Sequence, residues 1–176
     1  MSANSIKPVA SPFFTGTRGV SGRQLGSAHL AAYGLRGWLG GLRNTDMAQW
    51  QAVFETYSGA FGLCHARRTI EALSDWSRAI ERSAERDIEI CPLSCPTLCQ
   101  DECVALSIVA AAQADTCPAM QACAFALIGS ADIEPVVAGA EAFGAELKSA
   151  DCIVEPATLA ALESCGGANA GPAALQ

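Results

Sequence analysis

Hydrophobic residues recur with the period of an α-helix along most of this chain. Between residues 46 and 86 they fall at every third or fourth position and form one apolar stripe, and charged residues occupy the opposite side. Asp46, with Gln49 three positions later, is typical of a helix start. The pattern predicts one long helix over residues 46–86, with Gly59 or Gly62 as the place for a bend.

A weaker apolar stripe lies upstream of this helix. Leu30, Tyr33, Trp38 and Leu42 have near-helical spacing, but the same segment contains four glycines. Each glycine costs a helix ~1 kcal/mol relative to alanine. We interpret the segment as a helix whose glycines let a neighbouring helix approach closely, with an irregular connector as the alternative.

Four further helices are predicted downstream, and each begins near a proline, a residue that is favoured in the first helical turn. The connections between them are short, so consecutive helices are expected to be antiparallel neighbours. The predicted fold class is therefore all-α, an antiparallel bundle of four to five helices. The downstream segments are residues 96–113, 116–128 and 132–148, and a short last helix that opens at Pro156.

Composition divides the chain into three parts. Residues 1–27 are rich in Ser, Gly, Pro and Thr, which predicts an extended or disordered basic arm. Residues 28–165 form the predicted helical domain, and residues 166–176 are expected to be a frayed tail. Apolar residues make up 51% of the chain, with few aromatics among them, and this favours closely packed helices over strands.

The sequence contains no recognisable membrane or export segment. No window is long and apolar enough to span a membrane, and the first residues lack the apolar centre of a secretory signal. The expected location is cytoplasmic, or within a larger particle. Reducing compartments disfavour disulfides, so the nine cysteines of the chain favour metal binding or redox chemistry.

Charge is distributed unevenly about a net value of -7. Residues 1–45 carry five basic residues and no acidic ones, whereas residues 87–176 carry twelve acidic residues against one lysine. We expect the arm to dock on an acidic surface of another subunit, which predicts a homo-oligomer or a larger assembly; a solvated tail is the alternative. The acidic body argues against a nucleic-acid partner. The residues expected to bind the partner are Phe13, Phe14, Arg18 and Arg23.

Four cysteines at a four-residue spacing distinguish the segment CPLSCPTLCQDEC, residues 91–103. If a helix starts at its second proline, Cys99 and Cys103 share one face and Cys95 caps the helix. Cys91 then lies in the preceding loop, since a residue before proline avoids helical geometry. Thiols along one helix cannot converge on a tetrahedral ion unless the loop folds back or another helix supplies ligands. Pairs of thiolates suit Cu(I) better than zinc or an iron–sulfur cluster.

The following helix supplies further soft ligands. In an antiparallel hairpin that turns near Ala114, Cys103 falls close to Cys123, and Met120 lies on the same face as Cys123. Cys117 is near a helix start, where the helix dipole lowers the pKa of a thiol. The predicted metal ligands are Cys91, Cys95, Cys99, Cys103, Cys117, Met120 and Cys123.

The repeated spacing resembles that of the four-helix-bundle cysteine-rich copper storage proteins, whose helices carry Cys-x-x-x-Cys pairs directed into the bundle. The resemblance covers residues 91–123 and rests on the pairs Cys91/Cys95, Cys95/Cys99 and Cys99/Cys103. It implies Cu(I) as the ion. Members of that family place such pairs on most helices, whereas the other helices predicted here do not carry them. The resemblance therefore implies binding of one or a few ions, not high-capacity storage.

The leading hypothesis is a non-enzymatic helical protein that binds a soft metal ion, preferably Cu(I). No enzyme motif is evident: Cys64 and His65 are adjacent and point about 100° apart on a helix, which makes a poor nucleophile–base pair. The alternative is a structural or assembly protein, such as a virion or shell component, whose cysteines pack or form bridges. Cys103 and Cys123 would form the favoured bridge. A redox role is the third hypothesis.

Overall fold

The computed structural model describes residues 22–163, and all regular structure in that part of the chain is helical. This confirms the all-α prediction, while the antiparallel arrangement of a bundle stays a prediction. None of the described helices is long and apolar enough to cross a lipid bilayer. The helices are α1 (Gly22–Asn44), α2 (Met47–Phe61), α3 (Leu63–Ser83), α4 (Gln100–Gln113), α5 (Cys117–Ile128), α6 (Glu134–Ser149) and α7 (Pro156–Glu163).

The predicted arm and tail fall largely outside the described residues. Phe13, Phe14 and Arg18 lie there, and the side chain of Arg23, near the start of α1, is not described either. Docking of the arm on a partner therefore stays a prediction. Residues 22–27, which the sequence assigned to the arm, belong to α1.

The single long helix predicted over residues 46–86 is wrong, because the chain breaks into two helices at Gly62, one of the two positions predicted for a bend. This residue ends α2 and precedes α3 with a φ of +78°, a conformation that residues with a Cβ rarely adopt. Tyr57 of α2 and Leu73 of α3 both approach Gly34 of α1, with side-chain atoms 2.7 and 3.1 Å from the position that a Cβ would occupy there. The two helices therefore fold back against α1 instead of forming one rod.

Close packing against α2 explains why α1 has glycine at positions that face α2. A Cβ on Gly37 would collide with Val53 of α2, and a Cβ on Gly41 would collide with Trp50. The helix predicted around these glycines is confirmed, and so is their role in close approach. The start of α2 also follows the sequence, since Asp46 is its N-cap.

The helix predicted from Pro96 begins at Gln100 instead. Residues 84–99 form a loop, and Cys99 takes the N-cap position, where its amide donates a hydrogen bond to Glu102 at 3.0 Å. An acidic side chain at the third helical position satisfies an amide that the helix itself leaves unpaired, so this start prevails over the one at Pro96. The later prolines behave as predicted, because α5, α6 and α7 each start beside one.

One hydrophobic core joins the helices. Its largest side chains include Trp76 of α3 and Phe143 of α6, whose rings stack with their centroids 5.5 Å apart. α1 covers part of this core with a stripe of alanine and leucine side chains. The same side of α1 carries Arg36, which is only 4% exposed. A buried arginine needs a charged partner, and that partner lies in the first turn of α4.

Candidate metal centre

The loop of residues 84–99 is gathered around a single buried carboxylate. Glu102, in the first turn of α4, has no solvent exposure. Its two oxygens accept hydrogen bonds from the amides of Cys91 and Cys99, at 2.9 and 3.0 Å. These amides stand at the two ends of the segment CPLSCPTLC, so one side chain brings both ends to the same place.

Arg36 of α1 neutralises this carboxylate. Its Nε donates to Glu102 Oε1 at 2.6 Å and its Nη2 donates to Oε2 at 2.8 Å, which makes a bidentate pair. The guanidinium also donates to the carbonyl oxygens of Cys95 and Thr97 in the loop. Burial opposes ionisation of Glu102, but the hydrogen bonds from Arg36 and from the loop amides outweigh burial and lower its pKa. The charged pair therefore holds the middle of the loop as well as its ends.

A second arginine–carboxylate pair fastens the beginning of the loop. Asp101 accepts two hydrogen bonds from Arg86, at 2.6 and 3.0 Å, and a third from the amide of Glu89 at 2.8 Å. The hydrogen bond from Arg86 lowers the pKa of Asp101. The residues that precede Cys91 are therefore hydrogen-bonded to the first turn of α4, the same turn that binds the amides of Cys91 and Cys99.

Two of the three cysteine sulfurs of this loop converge beside the buried carboxylate. The Sγ atoms of Cys91 and Cys99 and a carboxylate oxygen of Glu102 lie within 4.8 Å of one another. In the turn that follows Cys91, the amide of Cys95 donates to the carbonyl of Pro92 at 2.9 Å. The sulfur of Cys95 lies outside this group and contacts the hydroxyl of Thr97 at 3.5 Å. All three cysteines are partly exposed.

The three thiols differ in acidity. Burial and the nearby charge of Glu102 raise the pKa of Cys91 to about 12, and burial also raises the pKa of Cys99. The hydroxyl and the amide of Thr97 form hydrogen bonds with the sulfur of Cys95 and lower its pKa. Cys95 is therefore the most readily ionised of the three.

Glu102 is a scaffold for the loop rather than a free ligand. Its two oxygens already accept four hydrogen bonds, two from Arg36 and two from loop amides. A metal ion on this carboxylate would displace one of these donors and leave it buried without a partner. The atoms available to a soft ion are therefore the sulfurs of Cys91, Cys95 and Cys99.

Comparison with known proteins adds no family to this picture. No protein-family model, curated protein or solved structure matches the chain. The function is therefore argued from the geometry of the site alone.

The other predicted ligands lie on α4 and α5. Cys103, one helical turn after Cys99, and Met120 are both buried in the core, and Cys123 is partly buried against it. Cys117 is exposed at the first position of α5. α4 and α5 pack together, but the converging group at the loop contains none of these α4 and α5 residues. The pairing of Cys103 with Cys123 stays a prediction.

One expectation about the cysteines changes, because Cys99 caps α4 in place of Cys95. The loop also folds Cys91 back toward Cys99, which the sequence analysis named as a condition for a convergent site. The sequence reasoning missed Glu102 and Arg36, which cause this folding. Glu102 had a local signal, an acidic residue three positions after an N-cap, but cysteine is not a typical N-cap residue. Arg36 had no local signal, because its partner is distant in the chain.

A second polar cluster joins α3 to the end of α6. His65 donates from Nε2 to the carbonyl of Glu146 at 2.8 Å, and Arg68 donates to its Nδ1 at 3.1 Å. Because Nδ1 accepts a hydrogen bond, the ring hydrogen of His65 is on Nε2. Nε2 therefore cannot accept a proton from the hydroxyl of Ser149, which lies 3.2 Å from it. This contact joins two helices and does not make a nucleophile–base pair.

Proposed function

We propose that this protein binds one Cu(I) ion through the thiolates of Cys91, Cys95 and Cys99. The observation that carries the proposal is the position of Cys91, whose sulfur lies within 4.8 Å of the sulfur of Cys99, with Cys95 between them in the same loop. The nearby carboxylate is already neutralised by Arg36, so the loop offers a soft donor set without an uncompensated buried charge. Thiolates are among the ligands that select Cu(I) in proteins.

The number of donors favours Cu(I) over zinc. A structural zinc site has four ligands in a tetrahedron, and iron–sulfur clusters commonly take four cysteines. The loop carries three cysteines, two of whose sulfurs lie within 4.8 Å of each other, and the carboxylate beside them, Glu102, is occupied by four hydrogen bonds. Cu(I) accepts a low coordination number, so three thiolates complete its site.

The two arginine–carboxylate pairs give the loop its geometry independently of an ion. Ordering a free loop costs ~1–2 kcal/mol for each residue that becomes fixed. Here Glu102 holds the amides of Cys91 and Cys99, and Arg36 holds the carbonyl of Cys95. Most of that ordering therefore accompanies folding, and less of it weakens binding of the ion.

Anaerobic titration of the reduced protein with Cu(I), in competition with a chelator of known affinity, tests the proposal. The unaltered protein is expected to bind one equivalent tightly. Cys91→Ser, Cys95→Ser and Cys99→Ser should each lower the affinity by more than the ~10–100-fold seen when a supporting contact around a metal site is lost. Cys64→Ser and Cys117→Ser are the matched controls, because both thiols are exposed and lie outside the loop.

Two results would contradict the copper assignment. One is the absence of tight binding, or tight binding that survives in the triple variant C91S/C95S/C99S. This is the result expected of the alternative function, an assembly protein whose cysteines pack or form bridges. The other is tighter binding of Zn(II) than of Cu(I) in parallel titrations.

A further inference from the structure

The sulfurs of Cys91 and Cys99 lie close together beside the buried carboxylate. Both Sγ atoms and a carboxylate oxygen of Glu102 are within 4.8 Å of one another, and both cysteines are partly exposed. We propose that Cys91 and Cys99 form a disulfide by exchange with a low-molecular-weight disulfide, and that this bond disables the metal site. The disulfide itself stands independently of copper, whereas its effect on the ion rests on the function proposed above.

The backbone already places the two cysteines for this bond. The Cys91 amide donates to Oε1 of Glu102 at 2.9 Å, and the Cys99 amide donates to Oε2 at 3.0 Å. Because both oxygens belong to one carboxylate, the two backbones are held next to each other although a loop separates them in the chain. A disulfide requires its sulfurs to approach to about 2 Å. Sulfurs that start within 4.8 Å can cover the remaining distance by rotation about their side-chain bonds.

The contacts of the neighbouring cysteines favour Cys99 as the partner of Cys91. The sulfur of Cys95 lies outside the converging group and contacts the hydroxyl of Thr97 at 3.5 Å. Cys103, one helical turn after Cys99, also lies outside that group and is only 5% exposed. The shortest path to a disulfide in this segment therefore joins the two ends of the loop.

Oxidation costs the sulfur of Cys99 one hydrogen bond. This thiol donates to the carbonyl of Glu89 at 3.3 Å, and a disulfide sulfur has no hydrogen to donate. Glu89 is exposed, so a water molecule can replace the lost donor. The amide of Cys99 keeps its hydrogen bond to Glu102, and the start of α4 therefore stays capped after oxidation.

The exchange balances in two steps when oxidised glutathione is the disulfide. In the first, one cysteine thiol releases its proton to water and attacks a glutathione sulfur, the S–S bond of glutathione breaks, and a mixed disulfide forms while one glutathione thiolate leaves and takes up a proton. In the second, the other cysteine attacks the protein sulfur of the mixed disulfide, and the second glutathione leaves in the same way. The two protein thiols lose two electrons, and oxidised glutathione gains two.

Oxidation of this pair removes two of the three proposed ligands at once. Cys95 would remain as a single thiolate, and the carboxylate of Glu102 would still be occupied by its four hydrogen bonds. One thiolate does not make a closed site for Cu(I). The loop would therefore hold the ion only while Cys91 and Cys99 are reduced.

Mapping the disulfide in the metal-free, full-length protein tests the modification itself. The reduced protein is equilibrated with oxidised and reduced glutathione at a series of ratios. It is then alkylated under denaturing conditions, and the monomer is isolated without reductant and digested for mass spectrometry. We expect the more oxidising mixtures to convert Cys91 and Cys99 from alkylated thiols to one linked pair of peptides.

Two proteases are needed to assign the link. Chymotrypsin cuts after the two leucines of the segment CPLSCPTLCQDEC but leaves Cys99 and Cys103 on one peptide, residues 99–106. A glutamate-specific protease cuts after Glu102 and separates these two cysteines. Each of the four cysteines of the segment is then on its own peptide, so a link from Cys91 to Cys99 differs in mass from a link to any other.

The controls are a cysteine outside the loop and a loop cysteine that the reaction requires. Cys117→Ser is expected to form the same linked peptides as the unaltered protein, and Cys91→Ser to form none while keeping its helix content by circular dichroism. A link from Cys91 or Cys99 to a different cysteine in place of this one, links only between chains, or no link in the most oxidising mixture would each overturn the disulfide. Because the mapping is done on the unaltered protein, it does not depend on the folding of any variant.

Cu(I) titrations before and after oxidation, with glutathione removed, separate this inference from the proposed function. Tight binding by the reduced protein and its loss after oxidation support both. A mapped disulfide in a protein that never binds Cu(I) overturns the proposed function alone. Binding that is unchanged once the Cys91–Cys99 bond has formed overturns the effect of the disulfide on the metal site.

Discussion

Replacing Glu102 with glutamine removes the charge that holds the cysteine loop and keeps the size of the side chain. Glutamine has one acceptor oxygen and one NH₂ group, and the NH₂ group would face hydrogen-bond donors of Arg36 or of the loop amides. The guanidinium of Arg36, only 4% exposed, would also lose its counter-charge. Breaking a buried ion pair by removing one partner costs about 3–5 kcal/mol of unfolding free energy.

Thermal unfolding measures this loss. In a chain of 176 residues, each kcal/mol shifts the Tm by ~2–4 °C, so Glu102→Gln is expected to lower the Tm by roughly 6–20 °C. The matched control is Glu81→Gln, because Glu81 also pairs with an arginine of α1, Arg43, but the two side chains are 32% and 33% exposed. Exposed pairs contribute ~0–1 kcal/mol. A loss in Glu102→Gln no larger than in the control would refute the reasoning.

A double variant separates stability from the geometry of the loop. In Arg36→Met with Glu102→Met no charge remains buried, and replacing both partners of a buried pair in this way is often neutral or stabilising. Stability is therefore expected to recover relative to Glu102→Gln. The amides of Cys91 and Cys99 would still lack an acceptor, so the affinity for Cu(I) is expected to stay low. Full Cu(I) affinity in the double variant would show that the Arg36–Glu102 pair does not position the thiols.

The same pair makes stability depend on acid pH. The folded-state pKa of Glu102 lies below its ordinary value of 4.5, so its contribution is fully present above that value and is lost as the pH falls through the lower folded-state pKa. Between about pH 5 and pH 3 the unaltered protein is expected to lose more unfolding free energy than Glu102→Gln, which has no carboxylate to protonate. The unfolding free energies of both proteins are measured with denaturant at several pH values. An equal loss of unfolding free energy in the two proteins as the pH falls would contradict this prediction.

Two further predictions concern a thiol and a packing contact. Cys95 is expected to react with iodoacetamide faster than the other loop thiols at neutral pH, and Thr97→Val to slow it by raising its pKa; equal rates by mass spectrometry would disprove the role of Thr97. Gly139→Ala places a Cβ 2.8 Å from the Cα of Trp76 and is expected to cost ~1–3 kcal/mol by overpacking. Gly59→Ala, with open space around it, is expected to stabilise by ~0.4–1 kcal/mol, so destabilisation in denaturant unfolding would argue against this account of the helix.

Most helices could be predicted from local signals, whereas at the break between α2 and α3 the sequence predicted no more than a bend at Gly59 or Gly62. Prolines in first turns and an apolar stripe act over a few residues, so they mark α5, α6 and α7 in the sequence alone. Apolar residues continue across Gly62 in the sequence, although Leu63 and Cys64, which follow it, are exposed. Only a distant contact, such as that of Tyr57 with Gly34, shows that the chain turns back there.

The candidate ligands could be predicted from the sequence, and the geometry of the loop could not. The spacing of Cys91, Cys95 and Cys99 is visible in the sequence, but the fold of the loop that carries them depends on Arg36, which lies 66 residues before Glu102. Arg36 has no local signal, and the capping signal of Glu102 is obscured by the cysteine at the N-cap. A buried ion pair between two helices depends on tertiary packing, which no local pattern encodes.

The buried pair is better explained by the geometry of the loop than by stability. Two well-packed apolar side chains could replace it with little loss of stability. They could not accept hydrogen bonds from the amides of Cys91 and Cys99, nor donate one to the carbonyl of Cys95. These three contacts fall on the three cysteines of the loop, so the Arg36–Glu102 pair holds the backbone of each cysteine. Metal binding by the loop would therefore depend on this pair, and a variant that loosens the loop should weaken binding.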